Sequence, residues 1–270
     1  MFKRSINITR INKNNSENTQ DTVLIESPVD LIVNGAALVN IICLPNDLKE
    51  LAVGFLYSIG IVDKIEDIND INVDELENKI IINLNKTANF ESKNLQVNPI
   101  SRVVDVSCGI SSAWRDHIKS ALEVNKNLLQ SENEFKINQN IIFSSIIKMQ
   151  EKTTLFKETG GCHGAAMFTL EGKLLSAKED IGRHNAIDKV IGDMIIKKQN
   201  FNDKILTSTG RLTADSVLKA ARAKIPILAS LSAAIESGIR IAFAYGITLI
   251  GFVRDPRMNI YTHPERLIIS

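Results

Sequence analysis

The stretch Glu158–Lys189, ETGGCHGAAMFTLEGKLLSAKEDIGRHNAIDK, decides how the chain is read. Its first half alternates apolar residues into a strand, turns at Glu171-Gly172, and returns as a second strand. Its second half runs on past Lys189 with Ile187, Val190, Ile191, Met194 and Ile195 at helical intervals, which predicts an amphipathic helix with one apolar face. Between strand and helix lies the densest polar cluster of the sequence, Glu179-Asp180-Ile181-Gly182-Arg183-His184-Asn185. A helix N-terminus presents free N–H groups to anions, and an arginine there offers a planar fork to phosphate.

Downstream, the pattern repeats. KILTSTG, PILASLS, TLIGFVR and MNIYTH read as strands, TADSVLKAARAK and IESGIRIAFAYG as helices, and a helix over Ile141–Lys152 precedes the block. Alternation of this kind predicts a sheet covered by helices on both faces, with ligands at the carboxyl ends of its strands. Upstream, LIVNGAALVNIICLP contains the hairpin signal Asn34-Gly35. A helix over LKELAVGFLYSIG is expected with Asp47 as its N-cap, and KIIINLN reads as a further strand. The expected organisation is a mobile tail over residues 1–21 with at most one early strand, a small α/β unit over 22–135, and a larger α/β unit over 136–270.

A net charge of +1 gives no bulk attraction to nucleic acid or to an anionic membrane, so an anionic ligand needs a local basic cluster. No apolar run is long enough to span a bilayer, and the N-terminus lacks the apolar region of a signal peptide. Three widely spaced cysteines argue against a disulfide framework and for a reducing, cytoplasmic setting.

Of those cysteines, Cys43 lies inside an apolar strand and reads as an inert small hydrophobe. Cys108 lies in the turn-rich Ser-Cys-Gly-Ile-Ser-Ser, where a thiol is accessible and open to reaction. Cys162 precedes His163, so a thiolate–imidazolium pair and a buried cysteine are both open readings. Two more segments carry candidate ligand groups: the strand-to-helix turn Thr207–Arg211, and Phe252-Val253-Arg254-Asp255-Pro256-Arg257 leaving the last long strand, whose aromatic and arginines suit a purine and a phosphate. The order of elements is that of zinc-dependent nucleoside deaminases. The thiolate ligands are missing, however: no C-x-x-C occurs, so no zinc site is expected.

Together ETGGCHGAA, EDIGRHNAIDKVIG, STGRLTADSVLKAA and GFVRDPRMNIYTHPERL resemble the FdhD family of formate dehydrogenase accessory sulfurtransferases, as does ESPVDLIVNGAALVNIICLPNDLKELAVGFL. The resemblance implies a C-terminal three-layer α/β/α domain like that of cytidine deaminases, without zinc, and a homodimer. It also implies a task, which is to pass persulfide sulfur from a cysteine desulfurase to the molybdenum (or tungsten) cofactor bearing two guanine dinucleotides, Mo-bis(molybdopterin guanine dinucleotide). That cofactor is a bound substrate on its way to formate dehydrogenase. The family's persulfide cysteine aligns with Cys108 and its cofactor segment with Phe252–Arg257, and Arg183, His184, Asn185, Arg211 and His163 are candidates to hold the nucleotide. Two positions depart from the family. Ser111 stands where the family has a second cysteine, and Ile59 precedes Gly60 where an acid is usual. A serine cannot attack a neighbouring persulfide, so a relay needing two thiols in this loop is excluded. A cofactor chaperone without sulfur transfer is the alternative.

Overall fold

The computed structural model describes residues 2–85, 103–104 and 135–269; Cys108, its loop and Ser111 lie outside them. The first element departs from the sequence reading. Residues predicted as a tail form an antiparallel hairpin, β1 (Lys3–Asn12) with β2 (Asn15–Leu24), paired from Lys3↔Leu24 to Asn12↔Asn15. Most of its side chains are exposed, which is why the segment reads as polar. Its base is fixed where Phe2 and Leu24 pack on Leu44, Leu155 and Cys162.

Next come β3 (Ser27–Val33) and β4 (Ala36–Cys43), joined by Asn34 and Gly35 at φ of 50° and 78°. Two successive left-handed residues make the primed turn that suits hairpin twist. Helix α1 (Leu48–Ser58) follows, then β5 (Ile68–Asp74), β6 (Lys79–Leu84) and β7 (Val103–Val104). These strands form a sheet in the order β5-β6-β3-β4-β7. Asp47 is not the side-chain cap expected of it. It adopts a left-handed conformation at φ 48° with no capping bond, and its carboxylate instead accepts from Lys178 Nζ at 2.5 Å.

The second half begins with β8 (Ile137–Asn138), α2 (Gln139–Lys152) and α3 (Thr154–Thr159). It continues through β9 (His163–Thr169), β10 (Leu174–Asp180), α4 (Arg183–Ile196), β11 (Lys204–Ser208), α5 (Ala214–Arg222) and β12 (Ile227–Ser230). Helix α6 (Glu236–Ala244), β13 (Thr248–Arg254), β14 (Arg257–Ile260) and β15 (Leu267–Ile268) close the chain. Six strands pair in the order β10-β9-β11-β12-β13-β14, and β11, β12 and β13 are mutually parallel. Alternate residues face opposite sides. Ala166, Phe168, Ile205, Ile227 and Ile250 pack under Ile142, Phe143, Ile146 and Met149 of α2. On the other side Ala165, Met167, Leu206, Leu228 and Leu249 pack with α4 and α5.

That second apolar cluster continues through α1 into Val29, Leu31 and Ile41 of the first sheet. Helix α4 is therefore buried from His184 to Ile195, not on one face as its periodicity suggests, because α1 covers the side turned away from the sheet. The crossing depends on two glycines. A Cβ on Gly54 would lie 1.8 Å from the Asp188 carbonyl oxygen, and one on Gly192 would lie 1.9 Å from that of Glu50.

Candidate functional site

Strand direction gathers the polar turns at one edge of the six-stranded sheet. The parallel strands β11, β12 and β13 end there, β9 begins there, and β10 ends opposite it, with Asp180 paired to His163 and Ser208 to Ser230. The edge therefore carries His163, Asp180–His184, Ser208–Arg211, Ser230–Ala234 and Gly251–Arg257. Hydrogen bonds lock these turns to one another. Thr209 N donates to Gly164 O at 2.9 Å and Leu231 N to Ser208 O at 3.2 Å. Ser230 Oγ donates to Gly210 O at 2.7 Å, and Phe252 N donates to Ser232 O at 3.0 Å.

Three predicted groups converge. His163 Nδ1 lies 3.0 Å from Thr209 Oγ1, which also accepts the Gly164 N–H at 3.1 Å. Burial lowers the His163 pKa, and the charges of Arg183 and Arg211 lower it further. Burial also pulls Arg183 down, with Arg211 adding to the effect. Arg183 starts α4 and lies across Gly210, where an added Cβ would come within 2.7 Å of the arginine's own Cβ. Gly210 is thus the slot that lets this side chain cross the turn. The Arg183 Nε is buried without a hydrogen-bond partner among the described residues. Two guanidinium groups and an imidazole held close together form an electropositive corner suited to phosphate.

The predicted C-terminal segment divides. Phe252 is half-buried at φ 51°, within a register shift between Gly251 and Arg254. Val253 points into the core beneath α2 and is fully buried, so it cannot face a ligand. Arg254, Asp255, Pro256 and Arg257 are exposed, with Arg254 paired directly across from Arg257. His184 and Asn185 are buried in the first turn of α4. Asn185 spends its amide on Ile42 O and on Asp180, at 2.9 and 3.0 Å.

Asp180, part of the polar cluster singled out in the sequence, organises the fold instead of facing a ligand. Its carboxylate accepts the N–H of Leu44 at 3.1 Å and of Gly182 at 2.8 Å, and it pairs with Lys189 at 2.7 Å. Lys189, fully buried, also donates to Leu44 O and Asn46 Oδ1. Further along α4, Asp188 accepts from Lys219 at 2.6 Å and from Ser58 at 2.6 Å. These bonds bind α4 to the first sheet, to α1 and to α5. Thr209 belongs to the predicted Thr207–Arg211 turn, but its role differs from the one expected: it supports His163 and Gly164, a pairing no local sequence signal reports.

Neither described cysteine is poised to react. The Cys43 thiol is pushed up to about 12, first by burial and then by the charge of Asp180. Cys162 is likewise raised to about 12, by burial and by Glu179, to which its Sγ donates at 3.6 Å. His163 turns away to Thr209, as alternation along a strand requires, so no thiolate–imidazolium pair forms. Among the described residues no group of three or more His, Cys, Asp or Glu is gathered as a metal site, and no helix is long and apolar enough to cross a membrane. A separate shallow pocket, lined in part by Tyr57, Asp63 and Phe201, lies at the far end of α4.

Comparison with known proteins gives a consistent result. The sequence pattern of the FdhD/NarQ family matches residues 24–268. The chain is 36% identical over 265 residues to the sulfur carrier protein FdhD of Sulfolobus acidocaldarius, covering 98% of each chain. It is 33% identical over 248 residues to the protein of that name from Bacillus subtilis, covering 92% of this chain and 91% of the relative. A crystal structure of a candidate formate dehydrogenase accessory protein from Desulfotalea psychrophila superposes with a TM-score of 0.76 at 25% identity. That match covers 99% of this chain and all of the other.

Proposed function

Since the chain belongs to the FdhD/NarQ family, we propose that it is a sulfur carrier acting through a persulfide on Cys108. The Cys108 thiolate attacks the terminal sulfur of a desulfurase persulfide, forming Cys108–S–SH and releasing the desulfurase thiolate. The recipient is the bis-guanine-dinucleotide molybdenum or tungsten cofactor, held at the sheet edge before it enters formate dehydrogenase. Handing the sulfur over as sulfide takes two electrons. With Ser111 in place of a second cysteine they do not come from closing a disulfide in this loop, which leaves the metal or an external thiol as donor.

The observation that carries this reading is the state of the other two cysteines. Cys43 and Cys162 are buried with thiols raised to about 12, which supports Cys108 as the sulfur-carrying residue. The corner of His163, Arg183 and Arg211 supports the cofactor half of the proposal, as does the Arg254–Arg257 pair. Like charges directly opposite each other in a sheet repel, and a phosphate between them relieves that repulsion. The sheet order β10-β9-β11-β12-β13-β14 with helices on both faces supports a deaminase-like C-terminal half. The proposal includes a cytoplasmic homodimer.

The test follows labelled sulfur from a cysteine desulfurase onto the protein. Sulfur should appear on Cys108 and be lost in Cys108→Ala; undiminished loading of that variant would sink the assignment. Ser111 favours one second reading, a chaperone that only holds the cofactor. Tight binding of guanosine diphosphate with no persulfide on any cysteine would select it.

A further inference from the structure

We infer that His163 and Thr209 form a proton-coupled latch on the phosphate corner: when a phosphate enters, His163 takes one proton from solvent at Nδ1, and the Thr209 hydroxyl turns from the imidazole to the ligand. This rests on the cofactor edge being a nucleotide diphosphate site.

The geometry begins with Thr209. Its backbone N–H is bonded to Gly164 O at 2.9 Å and its Oγ1 accepts Gly164 N–H at 3.1 Å, so the side chain is held in one orientation. A hydroxyl has one proton to donate and two lone pairs. Before a ligand binds, one lone pair is used by Gly164, and the proton can point at His163 Nδ1, 3.0 Å away. With Nδ1 as the acceptor, the latch has the imidazole proton on Nε2. A second proton then has one ring position to occupy, Nδ1. Once there it donates to the second lone pair of Thr209, and the hydroxyl proton must swing elsewhere. A phosphate oxygen in the corner is an acceptor for it.

Charge sets the direction of the switch. Three ionic groups bear on His163: Arg183 from α4, Arg211 from the loop after β11, and Asp180 from β10. Asp180 is committed to Lys189 and to the N–H groups of Leu44 and Gly182, so its pull is largely spent. Burial disfavours the imidazolium first, and among the charges the two arginines dominate and disfavour it further. A bound phosphate cancels their charge and adds its own, which favours imidazolium. The buried Arg183 Nε, without a partner among the described residues, marks where an acceptor is lacking.

The probes are guanosine diphosphate and inorganic pyrophosphate, with the full chain. Calorimetry in buffers of different ionisation enthalpy counts the protons taken up, and histidine NMR follows His163. We expect net uptake on binding that disappears in His163→Gln, falls in Thr209→Val and returns in Thr209→Ser. Relative to His163→Gln, wild-type affinity should gain up to about tenfold per pH unit as pH falls between the free and bound pKa values; the glutamine variant corrects for protonation of the ligand itself. Binding with equal proton uptake in wild type and His163→Gln overturns the latch and leaves the nucleotide site intact. Failure of both probes to bind from about pH 6 to pH 8 overturns both. If His163→Gln does not fold, a His163 NMR titration that ligand leaves unchanged in the wild type overturns the latch in its place.

Discussion

Alkylation of the native protein by iodoacetamide at pH 8 should label Cys108 and leave Cys43 and Cys162 almost untouched. The thiolate is the reacting species, and an ordinary thiol near 8.5 is roughly a quarter thiolate at that pH. A thiol near 12, as Cys43 and Cys162 have, holds on the order of one thiolate in ten thousand. The difference alone slows labelling by about a thousandfold. Steric exclusion slows it further, since the two side chains are 0% and 4% exposed. The control is the same protein in urea, where all three cysteines are equivalent. Peptide mass spectrometry over time gives the ratio of native to denatured rate at each site. The expected ratio is about one in a thousand or less for Cys43 and Cys162. A ratio near one at Cys162 would refute the reasoning, because that thiol would then be free to carry sulfur.

Four further outcomes follow from the described contacts. Lys189→Met strands Asp180 as a buried charge, which costs about 3–5 kcal/mol; thermal unfolding should fall by roughly 10 °C, and a change within about 2 °C would contradict the role given to the pair. Gly54→Ala forces α1 and α4 apart at the Asp188 carbonyl and should cost at least the roughly 1–3 kcal/mol of overpacking; guanosine diphosphate binding should weaken with it, because α4 carries Arg183. Arg211→Ala, at an exposed side chain, should weaken that binding about tenfold with the unfolding midpoint nearly unchanged. Arg254→Thr removes one of two opposed like charges, so it should raise the midpoint slightly while lowering affinity; a loss of stability would show that the pair is not repulsive.

Local chemistry made much of the fold legible. The Asn34-Gly35 turn, the hairpin at Gly172, where φ is 79°, and the alternation of β11 to β13 with their helices all follow from turn residues and periodicity. The first hairpin was hidden because its turn places Lys13 at φ 51°, and lysine gives no sign of a left-handed residue. The environment of α4 was hidden for a different reason. Its outer face is covered by α1, some 130 positions earlier in the chain, and no local period reports so distant a neighbour. The same limit misled the reading of EDIGRHNAIDK as a ligand-holding cluster. Most of its polar groups serve the fold: Glu179 caps α3 through the N–H groups of Leu155 and Phe156, while Asp180, Asn185, Asp188 and Lys189 reach partners from Ile42 to Lys219. Arg183 is left to face the edge. Yet the two roles are connected, since a guanidinium can meet a phosphate only if the first turn of α4 is held still. The buried charges around Asp180 and Lys189 supply that rigidity at a desolvation cost an apolar core would not incur. Loss of ligand binding on mutating the motif therefore identifies a ligand contact only where stability is unchanged, as expected at Arg211 but not at Asp180 or Lys189.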